Sequence, residues 1–213
     1  MAFISKPVIS DHSVTFSLSS KRELYVSELV PNNETPKKIG TVVREWQMIA
    51  YHKKMEADSF LSEMIFHDLA RIARLIAECM QSPEETTSIW NQIFICEDVA
   101  LKEIQAIALV RLFDVELKLS HIVTHPRNVR SKVNQNETMR VEGAASAIIH
   151  HLETTLPPSC KKIYLESVVS ARLFYQKLGF EELDPRKYSP DEVGTIPMVL
   201  TAKKIKSLNQ KVS

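Results

Sequence analysis

Residues 170–180 read Ser-Ala-Arg-Leu-Phe-Tyr-Gln-Lys-Leu-Gly-Phe and carry the strongest structural signal in the chain. Both ends of a short helix are marked within them. Ser170 is a suitable N-cap, because its hydroxyl can accept a hydrogen bond from a backbone N–H of the first turn. Gly179 is a suitable terminator, because glycine enters the left-handed conformation without a steric penalty. The chain has only four glycines in 213 residues, so we expect the backbone to require this one.

The overall composition is that of a soluble globular protein, with 44% hydrophobic and 25% charged residues. The net charge of +1 argues against nucleic acid and anionic membranes as partners. No apolar run approaches the roughly 18 residues of a membrane span. We expect a single domain over residues 1–213, with an elaborated N-terminal part over 1–57 and a flexible, lysine-rich tail over 203–213.

The cysteines favour a reducing compartment. Cys79, Cys96 and Cys160 are odd in number, and no pair has the spacing of metal ligands. Cys79 and Cys96 lie in apolar runs, which is typical of small buried hydrophobic residues. Because the first residues also lack the apolar stretch of a signal peptide, we expect a cytoplasmic protein without a metal site.

The first half of the chain predicts two strands and at least one helix. Alternating apolar residues indicate a strand over 14–18, and a second strand is expected over 24–30. Residues 31–36 have the composition of a loop. The segment 39–51 is ambiguous between strand and helix. The clearest helix covers 58–79, where apolar residues recur every three or four positions.

The second half of the chain predicts an α+β sheet. Short gaps separate three β-like runs, which favours an antiparallel meander over 89–96, 105–113 and 115–124. A polar stretch and a helix over 140–152 follow, and Pro157 and Pro158 break that helix. The remaining strands are expected at 163–168, 181–183 and 196–201. Strands followed by helices and further strands indicate a sheet with helices on its faces.

The segment from Arg140 to Ala145 opens a helix directly after a strand and a polar loop. The first turn of a helix has unpaired N–H groups and a partial positive charge, which together favour phosphate binding. Gly143 has no Cβ to hold a phosphate away from the backbone. By itself this pattern also fits a plain helix start that happens to contain one glycine.

Taken together, the two segments resemble the GNAT superfamily of acyl-CoA-dependent N-acyltransferases, over residues 89–200. The phosphate loop of that family, Gln/Arg-x-x-Gly-x-Gly/Ala, is matched by Arg140, Gly143 and Ala145. Its later motif, Ala-x-x-Phe-Tyr-x-Lys-x-Gly-Phe, is matched by Ala171, Phe174, Tyr175, Lys177, Gly179 and Phe180. The family strand that often ends Leu-Ala-Val-His-Pro is similar to Ile122-Val123-Thr124-His125-Pro126.

This resemblance implies the GNAT fold, which is a mixed, mostly antiparallel sheet with helices on both faces and a splayed parallel strand pair. The pantetheine arm of acetyl-CoA would lie between the splayed strands. By resemblance, the backbone of Ile122, Val123 and Thr124 would bind that arm, and Phe174 and Lys177 would flank it. The pyrophosphate would be held by Arg140, Val141, Glu142, Gly143, Ala144 and Ala145. The acceptor would be a small-molecule or peptide amine, and the protein a monomer or homodimer.

The same resemblance makes Tyr175 the general acid that protonates the departing CoA thiolate. A tyrosine hydroxyl remains protonated near neutrality and can be a positioned donor. The alternative is that Tyr175 packs its ring and makes one hydrogen bond. For the base, Glu116 and His121 are the candidates, and deprotonation through water is a third route. Simple alternation would place four residues of this strand on one face: Leu117, Leu119, His121 and Val123.

Three departures from the family pattern keep a second function open. Thirteen residues, 127–139, precede Arg140, and they could reach the CoA phosphates, cover the site or form a solvated insertion. Glu142 adds a negative charge to the phosphate loop and must point away from the pyrophosphate. Val168 stands where the family often has a cofactor-binding asparagine. These departures leave three functions open: an acetyltransferase, a transferase of longer acyl chains, or a GNAT-like CoA-binding module without turnover.

Overall fold

The computed structural model describes residues 14–17, 23–29, 34–82, 90–112, 115–129, 134, 140–184 and 194–201. These ranges contain eight strands and four α-helices. In chain order they are β1 (Val14–Ser17), β2 (Glu23–Leu29), α1 (Thr35–Met55), α2 (Phe60–Gln81), β3 (Gln92–Asp98), β4 (Glu103–Leu112), β5 (Glu116–Thr124), α3 (Ala144–Thr155), β6 (Lys162–Val168), α4 (Arg172–Lys177), β7 (Glu181–Glu182) and β8 (Thr195–Thr201). The predicted tail over 203–213 lies outside the described residues.

The eight strands form one sheet in the order β1-β2-β3-β4-β5-β6-β8-β7. Every neighbouring pair is antiparallel except β5 and β6, which run parallel. The helices lie on both faces, because one core cluster joins the sheet to α1 and α2 and the other joins it to α3 and α4. The predicted α+β fold and the predicted antiparallel meander of β3, β4 and β5 are therefore confirmed.

Strict alternation along the central strands creates the two cores. In β4, Ala106, Ala108 and Val110 pack towards α3, whereas Ile107 and Leu109 pack towards α1 and α2. The strand is buried on both faces, so nearly all of its residues are apolar.

Residues 39–51, left open between strand and helix, belong to helix α1. The buried side chains Ile39, Val43, Trp46 and Ala50 recur every three or four residues, which is the helical period. The helix already begins at Thr35, with Pro36 in its first turn, where a missing N–H is harmless. The loop predicted over 31–36 is therefore wrong at its end, and residues 31–33 lie outside the described part of the chain.

Helix α2 matches the sequence prediction closely. Its N-cap is Ser59, whose Oγ accepts a hydrogen bond from the N–H of Ser62 at 3.3 Å. The buried residues Phe66, Ala73, Ile76 and Ala77 fix the face that packs on the sheet and on α1. The helix is therefore held in register against both neighbours.

A β-bulge in β5 makes the predicted face assignment of that strand wrong. Leu119 lies opposite Val110 on β4, but His121 lies opposite Leu109, so Ser120 is the extra residue of the bulge. An extra residue reverses the alternation of side chains beyond it. His121 therefore faces α1 and α2 together with its cross-strand partner Leu109.

The buried residues of β5 confirm this reversal. Leu117 and Leu119 pack in the core beneath α3 and α4, and Ile122 packs against the same core. Val123 belongs to the opposite core, beneath α1 and α2. The bulge thus brings His121 and Val123 to the face of the sheet opposite Leu117 and Leu119.

The segment 170–180 folds differently at its start than its sequence predicts. A single 3-10 turn, Val169–Ala171, leads into α4, and no side chain caps the helix. Ser170 instead donates a hydrogen bond from its Oγ to Oδ2 of Asp68 at 2.5 Å. Gly179 has a φ of +91°, so the expectation of a left-handed glycine at the end of the helix is confirmed.

Candidate functional site

The parallel strands β5 and β6 diverge halfway along their length. They are paired from Glu116 and Lys162 to Leu119 and Leu165. Beyond that point β5 continues to Thr124 and β6 to Val168 without pairing to each other. The bulge at Ser120 begins where the pairing ends, which gives the divergence a local cause, because bulges bend and twist a strand. The result is a gap inside an otherwise continuous sheet.

A cavity of about 1040 Å³ passes through this gap. On the α1 and α2 side of the sheet it is lined by helix α2, from Ile65 to Ser82. On the other side it is lined by the start of α3 and by Phe174 and Tyr175 of α4. A ligand lying in the gap can therefore be reached from both faces of the sheet.

Helix α3 directs its N-terminus into the same cavity. Gly143 is its N-cap, with a φ of +85°, a conformation that favours glycine. The first N–H to close a helical turn is that of Ala147, which donates to the Gly143 carbonyl at 2.8 Å. The N–H groups of Ala144, Ala145 and Ser146 precede it, and no side chain caps them. They supply donors and a partial positive charge at the cavity wall, which suits a phosphate.

The structure combines a mostly antiparallel sheet, one diverging pair of parallel strands and a helix N-terminus beside the gap. This is the GNAT fold. The gap corresponds to the position that the resemblance implies for the pantetheine arm. The loop before α3 corresponds to the position implied for the pyrophosphate.

Ten of the predicted site residues lie together around the cavity of this GNAT fold. They are His121, Ile122, Val123, Thr124, Val141, Gly143, Ala144, Ala145, Phe174 and Tyr175. Four others do not line it: Glu116, Arg140, Glu142 and Lys177. Glu116 lies at the paired end of β5, where its carboxylate accepts a hydrogen bond from Tyr164 at 3.3 Å.

Two contacts reduce the expected anion-binding capacity of the phosphate loop. Arg140 forms an ion pair with Glu142 at 2.8 Å, so the acidic residue neutralises the nearest basic one. The N–H of Val141 donates to Oδ1 of Asn128 at 2.8 Å. Of the backbone donors that the resemblance implies, the N–H groups in the first turn of α3 are therefore the ones placed to meet a phosphate.

Asn134 anchors the insertion over 127–139 to the rest of the domain. Asn134 is 1% exposed, and its side-chain amide donates to the carbonyls of Pro126 and Val129, each at 2.8 Å. Its Oδ1 accepts a hydrogen bond from Nζ of Lys53 at 2.6 Å. This part of the insertion is packed on the domain rather than solvated. Arg130 and Lys132 lie outside the described residues.

Tyr175 is the most deeply buried of the predicted catalytic residues, with 7% of its surface exposed. Its ring makes edge contacts with Phe174 and Phe180, at centroid distances of 5.1 and 5.7 Å. Burial raises the pKa of its hydroxyl, because the phenolate would lose its hydration. The side chain therefore stays protonated over the whole physiological range and is available as a hydrogen-bond or proton donor.

A polar group that sequence reasoning missed lies on the opposite side of the gap. Glu166 of β6 lines the cavity directly after the last paired residue, Leu165. Its carboxylate accepts a hydrogen bond from Thr195 Oγ1 at 2.9 Å and lies 3.6 Å from Nζ of Lys118. The only sequence signal was its place in an alternating strand, which many solvent-exposed glutamates share.

Asp68 and Ser170 were likewise not identified as parts of the site. Both line the cavity, and the hydrogen bond between them connects α2 to the turn before α4. They are 102 residues apart in sequence. No local pattern could have paired them.

The similarity to known proteins is distant. No family model and no curated protein matches the sequence. The ribosomal-protein-S18-alanine N-acetyltransferase from Escherichia coli is similar in structure, with a TM-score of 0.43 and 19% identity over 84% of this chain and 94% of that one. The PaiA N-acetyltransferase from Thermoplasma acidophilum, solved in complex with coenzyme A, has a TM-score of 0.46 and 10% identity over 83% and 98%. Similar solved structures are mostly N-acetyltransferases.

Other kinds of site are not evident in the described part of the chain. Its His, Cys, Asp and Glu residues nowhere form a group of three or more that could hold a metal ion. None of its helices is both long and apolar enough to cross a membrane.

Proposed function

We propose that this protein is an acetyl-CoA-dependent N-acetyltransferase that moves the acetyl group directly to a primary amine in a ternary complex. One observation carries the proposal: a single cavity passes through the gap between β5 and β6 and connects Tyr175 with Glu166 and His121. Acetyl transfer needs a proton donor on the thiolate side and a proton acceptor on the amine side. The face beneath α4 supplies Tyr175 as the proton donor, and the face beneath α2 supplies Glu166 or His121 as the proton acceptor.

The donor would enter from the side of α3. Its pantetheine amides would pair with the backbone of Ile122, Val123 and Thr124, in the part of β5 that does not pair with β6. The pyrophosphate would meet the N–H groups of Ala144, Ala145 and Ser146. The thioester would then lie in the gap, where both faces can reach it.

The acceptor would approach from the side of α2. Glu166 takes the proton from its ammonium, directly or through water, because it is the carboxylate of β6 that lines the cavity beside the gap. His121, which the bulge brings to the same face, is the second candidate. The neutral amine then attacks the thioester carbon, and the tetrahedral oxyanion is stabilised by backbone N–H groups of β5 at the gap.

Collapse of the intermediate expels the CoA thiolate. Tyr175 protonates it, since its buried hydroxyl is a donor that remains protonated. The three cysteines are free and buried, which supports the proposed location in the reducing cytoplasm. We keep a monomer or homodimer as the proposed assembly.

A direct test measures binding of acetyl-CoA by calorimetry and its consumption with a panel of primary amines. The variant Ser146→Glu sharpens the test. A glutamate in the first turn stabilises a helix but repels a pyrophosphate at the same N-terminus. We expect it to keep the thermal stability and to weaken acetyl-CoA binding at least tenfold, whereas Ser146→Ala should keep both. Absence of acetyl-CoA binding by the unmodified protein would refute the proposal.

A CoA-binding module without turnover is the second candidate, and two contacts favour it. Arg140 is paired with Glu142, and the N–H of Val141 is bound to Asn128. These contacts occupy a positive charge and a hydrogen-bond donor that a phosphate loop would otherwise offer the cofactor. Binding of acetyl-CoA without thioester consumption with any amine would support this candidate.

A further inference from the structure

Helix α2 presents an aliphatic row to the cavity. The row consists of Ile65, Leu69, Ile72 and Leu75. All four side chains are only partly buried, and all four line the cavity. At 1.5 Å per residue the row is about 15 Å long. An apolar surface of this length along a cavity indicates that an apolar part of a ligand binds against it.

The opposite wall of the same cavity is polar. Lys118, His121 and Glu166 line it on the sheet, with Thr195 beside them. The α2 side of the sheet is therefore an amphipathic chamber, in which the helix adds Asp68, Arg71 and Glu78 to its aliphatic row.

The carboxylates of this chamber are already engaged. Asp68 accepts the hydrogen bond of Ser170, and Glu166 lies 3.6 Å from Lys118. Glu78 pairs with Arg74 at 3.8 Å. Three basic residues of the same lining, Arg71, Arg111 and Lys118, equal these carboxylates in number, so a second ammonium on the acceptor would meet no excess of negative charge.

We infer that the acceptor is an amine with a single positive charge on an apolar body, which lies along this aliphatic row with its amino group at Glu166. The inference rests on the proposed function and specifies its substrate. The donor occupies the gap and the α3 side, so the group that covers α2 belongs to the acceptor. Multiply charged amines are expected to be poorer substrates, because the lining has no excess of acidic residues.

Hexylamine and 1,6-diaminohexane form a matched pair of probes, since they differ only in the second amino group. We expect kcat/KM for hexylamine to exceed that for the diamine at least tenfold in the acetyl-CoA reaction. Binding of the two amines to the CoA-saturated protein, measured by calorimetry, should show the same order. The binding measurement decides the question even if turnover is slow.

Substitutions in the row provide the structural control. Ile72→Ala should lower kcat/KM for hexylamine about threefold to tenfold and leave the affinity for acetyl-CoA unchanged. Ile72→Asp should bring the ratio between the two amines to one or below, because the new carboxylate can pair with the second ammonium. Leu173→Asp, at an exposed position of α4 outside the cavity, should leave the ratio unchanged.

The outcomes separate this inference from the proposed function. A higher kcat/KM for the diamine would overturn the inference, and so would a kcat/KM for hexylamine that Ile72→Ala leaves unchanged. Neither result would count against acetyl transfer itself. If Ile72→Ala instead lowers the affinity for hexanoyl-CoA and not for hexylamine, the row serves the donor and the inference is wrong. Failure to bind acetyl-CoA at all would count against the proposed function first.

Discussion

The Ser170 hydroxyl donates a hydrogen bond to Oδ2 of Asp68 at 2.5 Å and joins two helices that lie on opposite faces of the sheet. Asp68 belongs to α2, on the proposed acceptor side, and Ser170 to the turn that leads into α4, which carries Tyr175. Both line the cavity at the gap. The contact therefore fixes the distance between the two halves of the candidate site.

Removal of this contact should show coupling between the two residues. Ser170→Ala should lower the free energy of unfolding by about 1–3 kcal/mol, because the bond has a charged acceptor. A double-mutant cycle with Asp68→Ala, followed by urea denaturation, should give a coupling energy above about 0.5 kcal/mol. Strict additivity of the two substitutions would contradict the contact.

Tyr175→Phe should separate chemistry from binding. The substitution keeps the ring contacts with Phe174 and Phe180 and removes only the hydroxyl. We expect kcat to fall by about 10²–10⁴, which is the usual contribution of a general acid, while the affinity for acetyl-CoA stays within about twofold. Steady-state kinetics and calorimetry measure the two quantities. Unchanged turnover would remove Tyr175 from the mechanism.

Two glutamates of neighbouring strands provide a matched comparison for the base. Glu166 lines the cavity, whereas Glu116 lies outside it and is hydrogen-bonded to Tyr164. Glu166→Gln should lower kcat by about 10²-fold or more. Glu116→Gln should leave kcat unchanged. If His121→Asn lowers kcat and Glu166→Gln does not, the proton acceptor is the histidine.

Two glycines should respond in opposite ways to alanine. Gly143 has a φ of +85°, so Gly143→Ala should cost about 1–2 kcal/mol of stability and weaken acetyl-CoA binding at the start of α3. Gly40 lies within α1, where an added Cβ would meet the Met80 Cβ at 3.4 Å, an ordinary contact. Gly40→Ala should stabilise the helix by up to about 1 kcal/mol. Thermal and urea unfolding measure both.

The buried carboxyl of Glu153 predicts a pH-dependent effect on stability. Desolvation raises its pKa, although His150 at 3.3 Å partly opposes the shift. A raised pKa means that the folded state favours the protonated form. The stability contribution is therefore fully present below the unfolded pKa of about 4.3 and is lost as the pH rises through the folded pKa.

Glu153→Gln should accordingly gain stability relative to the unmodified protein between pH 4 and pH 7. Urea denaturation at the two pH values measures the difference. Glu63→Gln, at an exposed position of α2, serves as the control and should change by less than about 0.5 kcal/mol at either pH. An equal effect of Glu153→Gln at both values would contradict the shifted pKa.

Local patterns were sufficient for most elements. The helical period predicted α2, the short gaps between β-like runs predicted the meander, and Gly179 marked the end of α4. The same patterns failed at α1, where an apolar stretch fits either period, and at Ser170, whose best partner is a distant carboxylate rather than the next turn. A local rule describes only neighbours in sequence, so it cannot weigh such a contact.

The chain's own motifs carried the GNAT resemblance and predicted the glycine at the start of α3 and the proposed donor side of the site. They did so because backbone conformation and helix ends depend on a few adjacent residues. Three other features depend on how strands separated by some forty residues pack together. They are the bulge at Ser120, the gap beyond Leu119 and Leu165, and the position of Glu166 across the gap from Tyr175. Register between distant strands is set by the packing of both faces at once, and that is why the proposed acceptor side could be argued only from the folded molecule.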